Sequence, residues 1–173
     1  MKNKDEKKRC SWVSGDLMTV HHDNEYGRIQ TDDNAIFAKF CLEIFTQQKT
    51  YAEVLERQDQ IRDWFFQFDI GRCANMDDTR LDSFIQESGL QKQIVYAVRT
   101  NAICCQEIIA DYGSLFKFVY GFKQPEKLYK ALLKYGFQEI QESNVLWLMK
   151  NIGVIEAHEP DCFLKSSHPE GTH

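Results

Sequence analysis

The chain has 173 residues, 43% hydrophobic and 27% charged, with twelve Phe but only three Pro and nine Gly. That length holds one domain with a sizeable core, and the scarcity of Pro and Gly excludes a disordered or loop-dominated chain. A net charge of −5 argues against a surface given over to nucleic acid, while leaving room for a local basic patch.

The start, MKNKDEKKRC, lacks the apolar stretch of a secretory signal. No apolar run approaches the roughly 18 residues of a membrane span. A cytoplasmic protein with no membrane partner is expected, its six Cys reduced. Residues 1–8 read as a flexible arm, 9–163 as a single domain and 164–173 as a flexible tail.

In chain order, RCSWVSGDLMTVHHDNEYG at 9–27 reads as loop-like. Asp32 or Asp33 can cap a helix whose apolar stripe is Ile36, Phe37, Phe40, Cys41, Ile44 and Phe45. Thr50 and Glu53 form a capping-box pattern for a helix carrying Tyr51, Val54, Leu55, Ile61, Trp64 and Phe65. Asp69 caps a short helical turn. Asp77 or Asp78 precedes a helix stopped by Gly89. A long helix follows at about 91–111, and a short one near 114–122. Pro125 opens another that ends at Gly136. Ser143 caps the last, which runs through Trp147, Leu148 and Ile152 to Gly153. Nothing alternates with period two over a strand's length, so the spacing predicts an all-α fold of roughly eight helices.

Four features bear on chemistry. Cys41, Cys104 and Cys105 fall in helical patterns and read as small core residues, but Cys10 and Cys162 lie in loop-like ends. With His22 and His158 they make a two-Cys, two-His set that suits a closed tetrahedral zinc site. The other reading is two accidental Cys and His neighbourhoods, and His21 competes with His22 as ligand. His168 and His173 read as solvated. Glu43 sits at the margin of an apolar stripe, either facing solvent or acting on a ligand. Trp12, Tyr26 and Tyr51 can stack on a planar base or simply pack the core. The turn at SGLQKQ, 88–93, is either an ordinary helical hairpin or a phosphate cradle at a helix N-terminus, helped by Lys92.

Taken together, and in this order, these stretches resemble the DNA-3-methyladenine glycosylase I (Tag) family. RCSWV at 9–13 matches its opening Arg-Cys-x-Trp-Val motif. HHDNEYG at 21–27 matches its His-Asp-Asn-Glu-Trp-Gly motif, and CLE at 41–43 its glutamate motif. GF at 136–137, IGV at 152–154 and HEPDC at 158–162 correspond to its C-terminal segment. The resemblance implies a helix-hairpin-helix DNA glycosylase fold and one structural zinc ion on Cys10, His22, His158 and Cys162. It implies Glu43 as the catalytic pocket carboxylate, with Trp12, His21, Tyr26 and Tyr51 around the base. It also implies DNA contact at Gly89, Leu90 and Lys92 of the hairpin. The expected activity is monofunctional hydrolysis of the N-glycosidic bond of 3-methyladenine in double-stranded DNA, by a monomer, without a lyase step. The chain departs from the family where Tyr26 and Tyr51 replace Trp and where His21 replaces Tyr, and its hairpin is shortened with fewer basic residues. Two rivals stay open: a relative of altered or lost activity that binds DNA or a protein on the same fold, and a zinc-stabilised helical protein with no nucleic-acid role.

Overall fold

A helix buried around nearly its whole circumference sets the architecture. α2 (Asp33–Phe45) buries every residue from Ile36 to Phe45 except Lys39, and such a helix belongs in the middle of a domain. The Asp32 side chain caps it, accepting from the Ala35 N–H at 2.8 Å. The neighbouring Asp33 side chain reaches outward instead. It accepts from the Phe116 N–H at 2.9 Å and so ties α2 to a later helix.

The structure, a computed structural model, describes residues 7–165. Most of the expected arm and tail, His168 and His173 included, lies outside the described residues. Around α2 stand α1 (Gly15–Asn24), α3 (Tyr51–Glu56), α4 (Gln58–Trp64), α5 (Ile70–Ala74), α6 (Asp78–Ser88), α7 (Lys92–Tyr112), α8 (Leu115–Tyr120), α9 (Pro125–Tyr135) and α10 (Glu142–Asn151). The all-α expectation holds, and no strand occurs among the described residues. α7 packs on α5, α6 and α8, while α10 packs on α2 and α9. None of these helices is long and apolar enough to cross a membrane.

The structure differs from the sequence expectation in three places, which also raises the helix count above eight. The stretch at 9–27 contains α1, whose buried residues are His21 and His22 rather than an apolar stripe. The helix expected from Tyr51 to Phe65 divides at Arg57, where φ −100° and ψ 4° leave the helical region. The last helix is capped by Gln141, not Ser143. There the Asn144 side chain accepts from the Gln141 N–H at 2.9 Å and reaches across to the Glu43 carbonyl at 3.3 Å.

The core is built on Phe. Phe65 stacks on Phe68 at 5.5 Å and meets Phe84 edge-on at 4.7 Å. Bringing Phe65 and Phe68 to one side takes a turn through three left-handed residues, with φ of 54° at Phe66, 57° at Gln67 and 57° at Phe68. Each costs about 1–2 kcal/mol. Burial of two Phe rings offsets this, and Phe66 is gripped from outside by the guanidinium groups of Arg72 at 4.0 Å and Arg80 at 4.1 Å. Cys41, Cys73, Cys104 and Cys105 fill gaps in this core as small apolar residues. Phe65→Ala is expected to lower stability by roughly 3–5 kcal/mol, read as a fall in the urea midpoint with unchanged slope.

Candidate active site and metal centre

The two ends of the described chain meet. The Phe163 N–H donates to the Lys8 carbonyl at 2.8 Å, and the Ser11 hydroxyl donates to Glu159 at 2.6 Å. Between these contacts lie Cys10, His22, His158 and Cys162, with one ligand atom from each, all within 4.8 Å of one another. The Cys162 Sγ is 3.4 Å from His22 Nε2 and 3.6 Å from His158 Nδ1, and the Cys10 Sγ is 3.7 Å from His158 Nδ1. Metal–sulfur and metal–nitrogen bonds of about 2.3 and 2.0 Å at the tetrahedral angle put such atoms about 3.5 Å apart. These side chains can therefore hold a metal ion with little movement.

The surroundings favour that use. The Glu159 N–H donates to the Cys10 Sγ at 3.3 Å and the Leu164 N–H to the Cys162 Sγ at 3.5 Å, both of which suit thiolates. His22 turns Nε2 to the cluster because Nδ1 is engaged by Asp23 at 2.8 Å. Asp23 is in turn clamped by Arg9 at 2.7 Å, and that pair holds its pKa down at about 2. His21, the competing ligand, is not in the cluster.

The cluster backs an aromatic wall. Tyr26 stacks on His22 at 6.0 Å and stands edge-on to His158 at 5.4 Å, and its hydroxyl donates to the Ala157 carbonyl at 3.1 Å. Trp12 meets Tyr26 edge-on at 4.9 Å and Tyr51 at 6.0 Å. These three rings line a cavity of about 190 Å³ together with Met18, Glu43, Thr46, Trp147 and Asn151.

Glu43 reaches this cavity from the buried face of α2, with 7% of its surface exposed. Among the described residues no group hydrogen-bonds its carboxyl. Burial raises its pKa to about 8, against a small opposing effect from the Lys39 ammonium. A carboxyl group held in an apolar pocket without a protein partner is a ligand-facing group.

Of the four residues expected around the base, Trp12, Tyr26 and Tyr51 line the cavity, but His21 does not. It stands behind Tyr51 and hydrogen-bonds the Tyr51 hydroxyl through Nε2. The sequence reading missed Met18, Thr46, Trp147 and Asn151. It placed Trp147 on the last helix without a role, and Trp147 is 40% exposed at the pocket. The signal for Asn151 was a lone amide in the apolar run LWLMKNIG, one helical turn after Trp147.

The hairpin joining α6 to α7 turns at Gly89, where φ is +69°. Its backbone donors are largely engaged. The Gly89 N–H donates to Ile85 at 3.0 Å, the Leu90 N–H to the Ser88 hydroxyl at 3.1 Å, and the Gln91 N–H to the Gln48 side chain at 2.8 Å. Leu90 is a core residue, 4% exposed, because its side chain plugs the space under the turn. This leaves the first-turn amides of α7, at Lys92 and Gln93, as the hairpin's open backbone donors among the described residues. Lys92 stands over the Tyr96 ring at 4.9 Å.

This helical architecture is that of a DNA glycosylase, an enzyme that excises bases from DNA. The sequence profile of the methyladenine glycosylase family matches residues 12–128. The chain belongs to that family. It is similar to the DNA-3-methyladenine glycosylase of Haemophilus influenzae, with 29% identity over 92% of this chain and 98% of that one. It is similar to DNA-3-methyladenine glycosylase 1 of Escherichia coli, with 27% identity over 89% and 95%. A crystal structure of 3-methyladenine DNA glycosylase I superposes with a TM-score of 0.85 at 27% identity, covering 92% of this chain and all of that one.

Gly27 links the wall to the metal ligands. Its φ is +82°, and a Cβ there would lie 2.8 Å from His158 Nε2 and 2.9 Å from the Ala157 Cβ. Gly27→Ala is expected to displace His158, so that the purified protein holds less metal by elemental analysis and melts several degrees lower. Gly15→Ala is the control, since φ there is +77° but nothing lies within 4 Å. Equal metal content and equal melting in the two variants would contradict the prediction.

Proposed function

We propose that this protein is a monofunctional DNA glycosylase that releases 3-methyladenine from alkylated double-stranded DNA. It acts as a monomer in the cytoplasm, on one helical domain spanning residues 9–163. The observation that carries this reading is Glu43, a buried carboxyl with no protein partner among aromatic rings. The two relatives that bear this activity in their names, at 29% and 27% identity, support it.

Methylation at N3 makes adenine cationic and weakens its bond to C1′. The enzyme's work is to take that base out of the helix, hold it and reject normal adenine. Extrusion is required because the pocket admits a base only outside the stack. Trp12, Tyr26 and Tyr51 offer ring surfaces that attract an electron-poor, cationic heterocycle. Glu43 accepts a hydrogen bond from the base. The cation's arrival lowers the raised pKa of Glu43, so the carboxylate forms where positive charge has entered. The base leaves with the electron pair of the glycosidic bond and becomes neutral. Water adds its oxygen to C1′ and gives up a proton, leaving an abasic site. No Lys nucleophile takes part, so the strand is not cut.

The fold is read as a helix-hairpin-helix glycosylase, with the α6–α7 turn against the DNA backbone. Because the amides from Gly89 to Gln91 are engaged, phosphate contact rests on the Lys92 ammonium and the amides of Lys92 and Gln93. The metal is read as one structural zinc ion on Cys10, His22, His158 and Cys162. Two sulfur and two nitrogen donors give a closed site without an open position. Its contribution is to join the chain ends behind Trp12 and Tyr26.

Incubation with methylated DNA followed by chromatography of the freed bases tests the reading. The wild type is expected to release 3-methyladenine, and Glu43→Gln to slow release by about 10²–10³-fold. No release from folded, metal-loaded protein would instead favour the binding-only relative. A second test uses stability. Between the ordinary carboxyl pKa of 4.5 and the raised value of about 8, the folded protein keeps a proton that the unfolded chain has lost. That contribution to stability is therefore whole below about pH 4.5 and is lost as pH rises toward about 8. Glu43→Gln removes the loss. Its gain over wild type in urea unfolding is expected to grow by a few kcal/mol at most between about pH 5 and pH 8; a constant difference would contradict the assignment.

A further inference from the structure

Asn151 ends α10 and lines the same cavity as Glu43 and Tyr51. It is 5% exposed, and its Oδ1 is, among the described residues, the buried side-chain oxygen left without a hydrogen-bond partner. An orphaned buried acceptor costs about 1–3 kcal/mol. The residue is also fixed in place, since its backbone carbonyl accepts the Gly27 N–H at 2.8 Å.

A chain of hydrogen bonds decides which face of the amide meets a ligand. Glu25 can only accept, and it accepts from His21 Nδ1 at 3.2 Å while pairing with Lys39 at 3.4 Å. His21 is buried, and its Nδ1 carries the proton given to Glu25. Its Nε2 is therefore an acceptor, and the Tyr51 hydroxyl donates to it. The Tyr51 oxygen, its proton committed, faces the Asn151 side chain across the cavity, and only the amide nitrogen of Asn151 suits it. That contact acts to lower the Tyr51 pKa against a larger rise from burial. Each bond sets the direction of the next, and Oδ1 remains.

Resting on the glycosylase reading above, we propose that Asn151 selects a base carrying an exocyclic amine, its Oδ1 accepting a hydrogen bond from the 6-amino group. Tyr51 holds the amide against rotation, and His21 and Glu25 are positioning residues that hold Tyr51. A 6-oxo purine presents a carbonyl to this oxygen. Two acceptors then face each other, and turning the amide would set its oxygen against the Tyr51 oxygen, whose proton is committed to His21. The pocket thus carries two acceptors, Glu43 and Asn151, suited to a donor-rich heterocycle.

The test titrates the whole protein with free 3-methyladenine and with its 6-oxo counterpart, 3-methylhypoxanthine. Binding is followed by calorimetry and by Trp fluorescence, since Trp12 and Trp147 line the cavity. Wild type is expected to prefer the amine by about tenfold or more. Asn151→Ala is expected to lose about tenfold in 3-methyladenine affinity and to bring the preference close to one. Tyr51→Phe keeps a ring but frees the amide, and is expected to narrow the preference by strengthening 6-oxo binding. It also carries the test if Asn151→Ala does not fold. Wild-type binding of 3-methyladenine with the preference intact in both variants overturns the role of Asn151 and leaves the glycosylase reading standing. Wild-type binding of neither base overturns both.

Discussion

The segments Cys10–Gly27 and Asn151–Cys162 hold each other, and the pocket's geometry follows from that contact. Trp12 stands edge-on against His22 at 5.5 Å, and Tyr26 lies between His22 and the backbone of Ala157. The Gly27 N–H fixes Asn151 from the same side. A second tie runs through Tyr120, whose hydroxyl accepts the Gln30 N–H at 2.8 Å and donates to the Ile152 carbonyl. Two of the pocket's rings therefore stand on the ligand cluster rather than on the Phe core. Losing one cluster residue would leave α2 and α7 packed while releasing the wall in front of Glu43.

The pocket and the α6–α7 hairpin use polar groups in opposite ways. In the pocket, acceptors are buried and left open, which costs stability in the free protein and rewards a ligand that brings donors and positive charge. At the hairpin, three donors that could meet a phosphate are spent on the protein itself. Together with the net charge of −5, this places little of the recognition in the phosphate backbone. Selectivity then falls on the pocket, where a buried, oriented hydrogen bond separates ligands more sharply than a surface charge does.

Much of this was legible in the sequence for definite reasons. α2 was readable because its apolar residues recur at helical spacing and an Asp caps it. Thr50, Asp69 and Asp77 cap their helices as expected, and Gly89 and Gly136 take left-handed conformations where helices end. The four cluster residues were nameable by residue type, and the resemblance favoured joining halves more than a hundred residues apart over an accidental neighbourhood. α1 was hidden because it buries two His for their polar atoms and has no apolar stripe. His21 was assigned to the base because it falls where the family has a Tyr, but it stands behind Tyr51, turned from His22 by a single helical step of about 100°. It faces Tyr51, and it matters through that residue. Asn151 stood out only as a lone amide in an apolar run, and its place beside Glu43 follows from the docking of α10 on α2.

The order in which the chain is made gives this arrangement a further meaning. The hydrophobic core draws on residues from α2 through α10, and most of it is available once about three quarters of the chain exists. The base pocket draws on Trp12 at one extreme and on Trp147 and Asn151 at the other. A nascent chain leaving the ribosome can collapse around α2 and α7 while its N-terminal segment waits, with Cys10 and His22 unmatched, for HEPDC to emerge. The complete pocket is thus acquired late in folding, by contacts of the longest sequence separation.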